Sequence, residues 1–141
     1  MPNFFSRLFL LIFSMFILSG CSPEEDKTAK EVDVVVIFFD AIYNQKDLNK
    51  VLAVSSIKLQ QKIKKYRTLS NFSRRLLQLS FDSVTIATQK SAIQVIDNYN
   101  EQATITVMLT GPRNDRVYKD VRRVNVIKQG NIWLVDEILA D

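Results

Sequence analysis

The side chains able to do chemistry in this chain are few. Its 141 residues include no His and a single Cys, Cys21. Without imidazole there is no Ser-His-Asp or Cys-His nucleophile and no ordinary zinc site. A lone Cys also rules out an internal disulfide. What remains for acid-base work is carboxylate and phenol: Asp97, Tyr99, Tyr118, Asp120 and Asp136, all in segments that read as strands. An Asp whose pKa is raised by an apolar cavity could act as a base while a Tyr donates to an oxyanion. Asp97 and Tyr99, two apart, share one strand face, whereas the neighbours Asp136 and Glu137 point to opposite faces. The competing reading is ordinary strand polarity, with carboxylates in solvent and tyrosines half-buried.

Charge gives a second lead. Between Asp47 and Asp82 there is no acidic residue, yet Lys50, Lys58, Lys62, Lys64, Lys65, Arg67, Arg74 and Arg75 all fall there. Lys58, Lys62 and Lys65 lie on one helical face, and with Arg74 and Arg75 they form a candidate anion-binding group. Anionic phospholipid, lipopolysaccharide phosphate or an acidic envelope protein would suit it, at on the order of 1 kcal/mol per cation near an anionic surface. A solvated helix face is the alternative. Nucleic acid is a poor partner for an exported chain, despite a pI near 9.3. Nothing in the composition calls for a cofactor or metal.

Export is read from the first twenty residues. Arg7 precedes a run from Leu8 to Leu18 that is apolar at every position but Ser14, which is too short for the roughly 20 residues that cross a 30 Å hydrocarbon layer and has the form of a signal peptide. Leu18, Ser19, Gly20 and Cys21 follow, and this quartet resembles the bacterial lipobox. The resemblance implies peptidase recognition through Leu18, Ser19 and Gly20, cleavage before Cys21, a diacylglycerol on the Cys thiol and an acylated new amino group. Three acyl chains at about 0.8 kcal/mol per buried CH₂ would hold the chain on the membrane essentially permanently. Ser22, in place of the Asp that favours inner-membrane retention, implies the periplasmic face of the outer membrane. The organisation expected is a signal peptide over 1–20, a polar tether over 21–30 and one domain over 31–141.

Helices must come first in that domain. Val32, Val35, Val36, Phe39 and Tyr43 make one helical stripe between Lys27 and Asn44, although the run VVVIFF would also suit a buried strand. Asp47 is placed to cap a short helix using Leu48, Val51 and Leu52. Ser55 or Ser56 opens another with Leu59, Ile63 and Tyr66 on one side. Ser70 or Asn71 opens a further turn or two around Phe72, Leu76 and Leu79. The aromatic residues Phe38, Phe39, Tyr43, Tyr66, Phe72 and Trp133 read as core, with a ligand-lined cone as the alternative.

From Phe81 the period becomes two. Val84–Thr88, Ile93–Asp97, Thr104–Leu109, Val117–Ile127 and the closing NIWLVDEIL read as strands. NYNEQ supplies a tight reversal, GPRND a longer one, and QGN a Gly-Asn turn. The alternation slips at Arg122 and Arg123, which places a bulge there. Helices followed by a meander give an α+β domain with its helices on one face of a curved antiparallel sheet of four to five strands.

That order, with FFDAIYNQKDL near the start and QGNIWLVDEI at the end, resembles the nuclear transport factor 2-like superfamily. The first motif matches its opening helix, turn and second helix, and the second its closing hairpin. A cystatin-like fold would give similar halves with fewer helices. The superfamily includes ketosteroid isomerase and polyketide cyclases as well as small bacterial lipoproteins of unassigned activity. Its cyclase and dehydratase members rely on a His-Asp pair, and this chain lacks the His. The resemblance therefore implies a non-catalytic binding or interaction module, with a small isomerase-like or hydrolase-like enzyme using an Asp/Tyr pocket as the alternative.

Overall fold

In a computed structural model the described residues are 29–95 and 101–139, so the Leu18–Cys21 quartet, Asp97 and Tyr99 lie outside them. Helix α1 spans Ala29–Asp40 and runs into one π-helical turn, Ala41–Gln45. Helices α2 (Leu48–Ala53), α3 (Ile57–Lys65) and α4 (Leu69–Arg75) follow. Strands β1 (Thr85–Val95), β2 (Glu101–Arg113), β3 (Arg116–Gln129) and β4 (Ile132–Leu139) form an antiparallel sheet in the order β1-β2-β3-β4. Among the described residues no helix is long and apolar enough to cross a membrane.

Helix is the outcome for VVVIFF. Val34, Val35, Phe38, Phe39, Ile42 and Tyr43 are buried, whereas Val32 and Val36 of the expected stripe are only half-buried; the core face is turned toward Val34 and Phe38 because α1 lies in the bowl of the sheet and is covered on two sides. The sheet contributes Ala103, Ile105, Val107 and Leu109 from β2, Val124 and Val126 from β3, and Trp133 and Val135 from β4 to the same core. These inward positions alternate with outward ones, as the pleat requires.

The caps follow local chemistry. The Asp47 carboxylate accepts from the backbone N–H of Asn49 and Lys50, and the Ser56 hydroxyl accepts from Leu59 N–H. The α4 cap is Thr68 rather than Ser70 or Asn71, its hydroxyl accepting from Asn71 N–H. Tyr66 and Phe72, ring centroids 6.0 Å apart, pull the chain into this earlier start. Helix α4 ends at Arg75 and the chain then turns, so Leu77 and Leu79 are buried while Leu76 is exposed. Helical spacing ceases to apply at that point.

The sheet corrects three further expectations. Residues 85–95 are one strand with a register shift between Lys90 and Ile93, so the segments containing Ile86 and Ile93 are a single bulged β1. The β2–β3 reversal is a two-residue turn at Asn114 and Asp115, both with positive φ (50° and 60°), while Gly111 and Pro112 belong to β2. No bulge lies at Arg122 and Arg123, where the pairing with β2 is continuous. The shift is in β4, where Asn125 pairs with Glu137 and Val126 with Val135, leaving Asp136 as the extra residue.

The π-helical turn, unread in the sequence, ties helix to sheet. It rotates Asn44 toward β1, where its side-chain oxygen accepts from Val84 N–H at 2.8 Å and its amide donates to Val84 C=O at 3.0 Å. The same amide donates to Asp40 Oδ1 at 2.7 Å. One side chain thus completes the backbone pairing of a residue just outside the strand. Asn44→Ala would strand both Val84 groups, and at roughly 1–3 kcal/mol for an unsatisfied buried group a loss of about 2 kcal/mol is expected in urea unfolding.

Candidate functional site

The basic region is built on α3. Leu59 and Ile63, four residues apart, are buried, which turns Lys58, Lys62 and Lys65 away from the core. The residues just before the helix run beside β4: Ser56 N–H donates to Val135 C=O and Val135 N–H donates to Val54 C=O, both at 2.8 Å. That contact brings the start of α3 to the β4 bulge. Asp136 and Glu137 together oppose Asn125 there, so their side chains converge instead of parting, as simple alternation requires.

Both carboxylates meet the lysines. Lys58 Nζ lies 3.2 Å from Glu137 and 3.5 Å from Asp136, and Lys62 Nζ lies 3.4 Å from Glu137. Asp136 also accepts from the Ser56 hydroxyl at 2.6 Å. The hydrogen bond from Lys58, then its charge, holds the Glu137 carboxyl below its ordinary value of 4.5. The same bond to Glu137, then the charge of Asp136, raises Lys58. A carboxylate depressed by folding stabilises the fold above its unfolded pKa, and that contribution is lost as pH falls through the folded value. Acid unfolding of Glu137→Gln is therefore expected to show a flatter pH dependence below pH 4.5 than the parent. The difference should be small and salt-sensitive, because the Glu137 side chain is 38% exposed.

Lys50 stands apart on α2, where it donates to the Gln45 side-chain oxygen, and the other cations lie at the corner between α3 and α4. Lys64, Lys65, Arg67, Arg74 and Arg75 are exposed, and among the described residues none of them has an acidic partner. Arg74 donates to Asn71 Oδ1 at 3.3 Å. Arg67 has a left-handed backbone (φ 63°), and its N–H bonds back to Lys64 C=O at 3.2 Å. The Tyr66–Phe72 contact pins this turn from beneath. Of the residues marked by the sequence, Lys65, Arg74 and Arg75 thus form an uncompensated group, while Lys58 and Lys62 are set into ion pairs. Lys64 and Arg67 join the group because the turn folds them onto it.

The inner face of the sheet is the other candidate region. Tyr118, Asp120 and Arg122 share that face with Gly111, Leu109 and Val107, opposite which they pair. They sit at the open mouth of the cone, beyond the buried Val124. Asp120 Oδ2 accepts from Arg122 Nε at 2.7 Å. Tyr43, deeper in, is buried and donates its hydroxyl to Leu79 C=O at 3.2 Å. Burial pushes its phenol pKa up, outweighing the lowering effect of Arg122. A cavity of about 180 Å³ opens beside Phe81, Tyr118, Lys119 and Asp120. A larger one, about 340 Å³, lies between the π-helical turn and α4, lined by Tyr43, Lys46, Ser70, Ser73, Phe81 and Asp82. The deeper cone is filled by the fully buried Phe38, Phe39, Leu109 and Val124. Asp136, the remaining carboxylate candidate, belongs to the lysine cluster rather than to either cavity.

No protein-family model matches the chain, and no curated protein matches it. Solved structures do. A five-substitution form of a chain named Rd1NTF2_05 is 14% identical at a TM-score of 0.50, the match covering 82% of this chain and 97% of that one. An NTF-2 like protein of unknown function from Shewanella oneidensis is 14% identical at a TM-score of 0.44, with 78% and 98% covered. A ketosteroid isomerase-like protein from Erwinia carotovora atroseptica is 8% identical at 0.44, with 83% and 99% covered. Helices packed on one four-stranded antiparallel sheet, together with the first of these likenesses, give the described domain a nuclear transport factor 2-like α+β fold.

Proposed function

We propose that this protein is a lipid-anchored binding module of the bacterial envelope, held by acyl chains on Cys21 at the periplasmic face of the outer membrane and contacting an anionic envelope component through the α3–α4 corner. The observation that carries the reading is the division of the basic region. Two lysines are matched by the β4 carboxylates, whereas five cations of the corner have no acidic partner among the described residues. Clustered like charge costs self-repulsion that a purely structural surface avoids by mixing in Glu, and an anionic partner relieves it. The anchor rests on LSGC closing a stretch, Leu8 to Leu18, that is apolar at every position but Ser14.

The isomerase-like or hydrolase-like alternative would use Asp120 as the base near Tyr118. The Arg122 guanidinium already engages that carboxylate, which favours the binding reading.

Vesicle co-sedimentation tests the proposal, using the chain from Ser22 onward, which carries neither acyl chains nor the apolar leader that would mask the corner. Binding to phosphatidylglycerol vesicles, falling as salt rises through 0.1 M, is expected, with little binding to phosphatidylcholine. Equal binding to both lipids, or none to either, would overturn it. The parent chain should carry acyl mass and lack residues 1–20, and Cys21→Ser should carry no acyl mass and keep them.

A further inference from the structure

The sheet has an unfinished edge. β4 pairs with β3 only from Arg123 to Gln129, whereas β3 pairs with β2 along its whole length, from Arg116 opposite Arg113 to Ile127 opposite Gln102. Residues Arg116–Arg122 are therefore strand on one side and, among the described residues, have no strand on the other. Alternate N–H and C=O groups along this stretch point outward with no strand to receive them. Seven residues at about 3.3 Å each give an open template of roughly 23 Å.

Edges of this kind are usually shortened, bulged or covered. This one is continuous in register, and it displays large apolar side chains: Val117 is 72% exposed, Val121 48% and Tyr118 42%. On its outer face the order is Val117, Lys119, Val121. On its inner face Asp120 is already paired with Arg122, leaving Arg116 and Lys119 to set the charge of the edge. A strand laid beside it would meet apolar, basic, apolar in alternation, and so would suit apolar residues flanking an acidic one.

We propose that the Arg116–Arg122 edge is a docking site for an extended segment of another protein that carries, at every second residue and so on one strand face, an acidic side chain between two apolar ones, and that adds to the sheet as an antiparallel strand next to β3. Backbone hydrogen bonds would supply the affinity and the Val117, Lys119, Val121 row the selectivity. A second copy of this chain fits poorly. The antiparallel self-register that uses all seven edge residues sets Lys119 against Lys119 and Arg116 against Arg122, and like charges directly opposite are destabilising. The site is separate from the α3–α4 corner and does not depend on it.

The test uses the full chain in detergent micelles and capped heptapeptides: Thr-Val-Thr-Glu-Thr-Val-Thr (Val/Glu), which sets Val, Glu and Val on one strand face, its counterpart with Lys in place of Glu, and the Val/Glu sequence N-methylated at alternate nitrogens. The Val/Glu peptide is expected to bind at least tenfold more tightly than the other two and to slow amide hydrogen exchange at alternate residues of 116–122. Lys119→Glu should reverse the preference between the charged peptides, and Val121→Lys should weaken the Val/Glu peptide at least fivefold. Unchanged exchange spectra for β1 and β4 would confirm that these variants fold. Equal affinity for the charged peptides, binding that survives N-methylation, or protection outside the edge would overturn the proposal. So would a concentration-dependent dimer that Val121→Lys dissociates, since the edge would then serve self-association.

Discussion

Trp133→Ala is expected to destabilise the domain by about 3–5 kcal/mol, the range for emptying a buried Trp site. The indole is 7% exposed and faces inward opposite Lys128. The Lys128 ammonium lies 5.9 Å from the ring centroid and 3.3 Å from Glu101, so the β4 ring, the β3 lysine and the β2 carboxylate form a layered closure across three strands. Truncation empties the layer and removes the ring's interaction with the cation, worth about 0.5–1 kcal/mol at a partly exposed site. Against a total stability of about 5–15 kcal/mol for a domain, the loss would move much of the population toward the unfolded state. Urea unfolding followed by circular dichroism measures it, and the folded parent should emit at a blue-shifted, non-aqueous wavelength. Water-like emission from the folded parent would contradict the placement of Trp133.

Gly111→Ala should be nearly as damaging, despite adding one methyl group. A Cβ at residue 111 would stand 2.0 Å from Ser83 O and 3.2 Å from the Phe81 ring. The obstacle is backbone, and that backbone is held: Asp82 N–H bonds Pro112 C=O at 3.2 Å, and Asn44 fixes Val84 one residue on. Replacing Gly by Ala within a strand would otherwise gain about 0.5–1 kcal/mol from reduced backbone freedom. Overpacking costs about 1–3 kcal/mol and rises where the neighbour cannot yield. With backbone as the obstacle the overpacking cost stands at the top of that range, and less the gain a net loss of about 2 kcal/mol is expected in the same unfolding measurement. Gly130 is the contrast: a Cβ there would meet nothing within 4 Å, and only the positive φ of 61° penalises a side chain.

Helices α2 and α3 were legible because each carries a cap and a stripe. Asp47 and Ser56 stand where an N-cap must, and Leu59 with Ile63 mark one face. The strands were legible from alternation, but alternation reports burial rather than register. At Arg122 the polar side chain is inward because the cone is open at that end, which imitates a phase slip without any bulge. At Asp136 the true bulge is hidden, since two adjacent carboxylates look like one outward and one inward residue until Lys58 is seen to meet both. Gly111 and Pro112 look like a turn, yet Gly111 is needed for the close approach of Ser83 while Asn114 and Asp115 take the left-handed conformation. The candidate site followed the same course. An acid-free run is visible in one dimension, but which of its cations find partners depends on β4, about eighty residues away.

That partition is where the account is most exposed. Two charge-neutralised forms of the chain from Ser22 onward should be compared on phosphatidylglycerol vesicles at low salt: one with Lys64, Lys65 and Arg67 replaced by Gln, the other with Lys58 and Lys62 replaced by Gln. The account predicts at least a tenfold loss of vesicle affinity for the first, with unfolding close to the parent's, and less than a threefold loss for the second, whose cations are already engaged by Asp136 and Glu137. Parental binding by the corner variant, or the larger loss in the Lys58 and Lys62 variant, would contradict it.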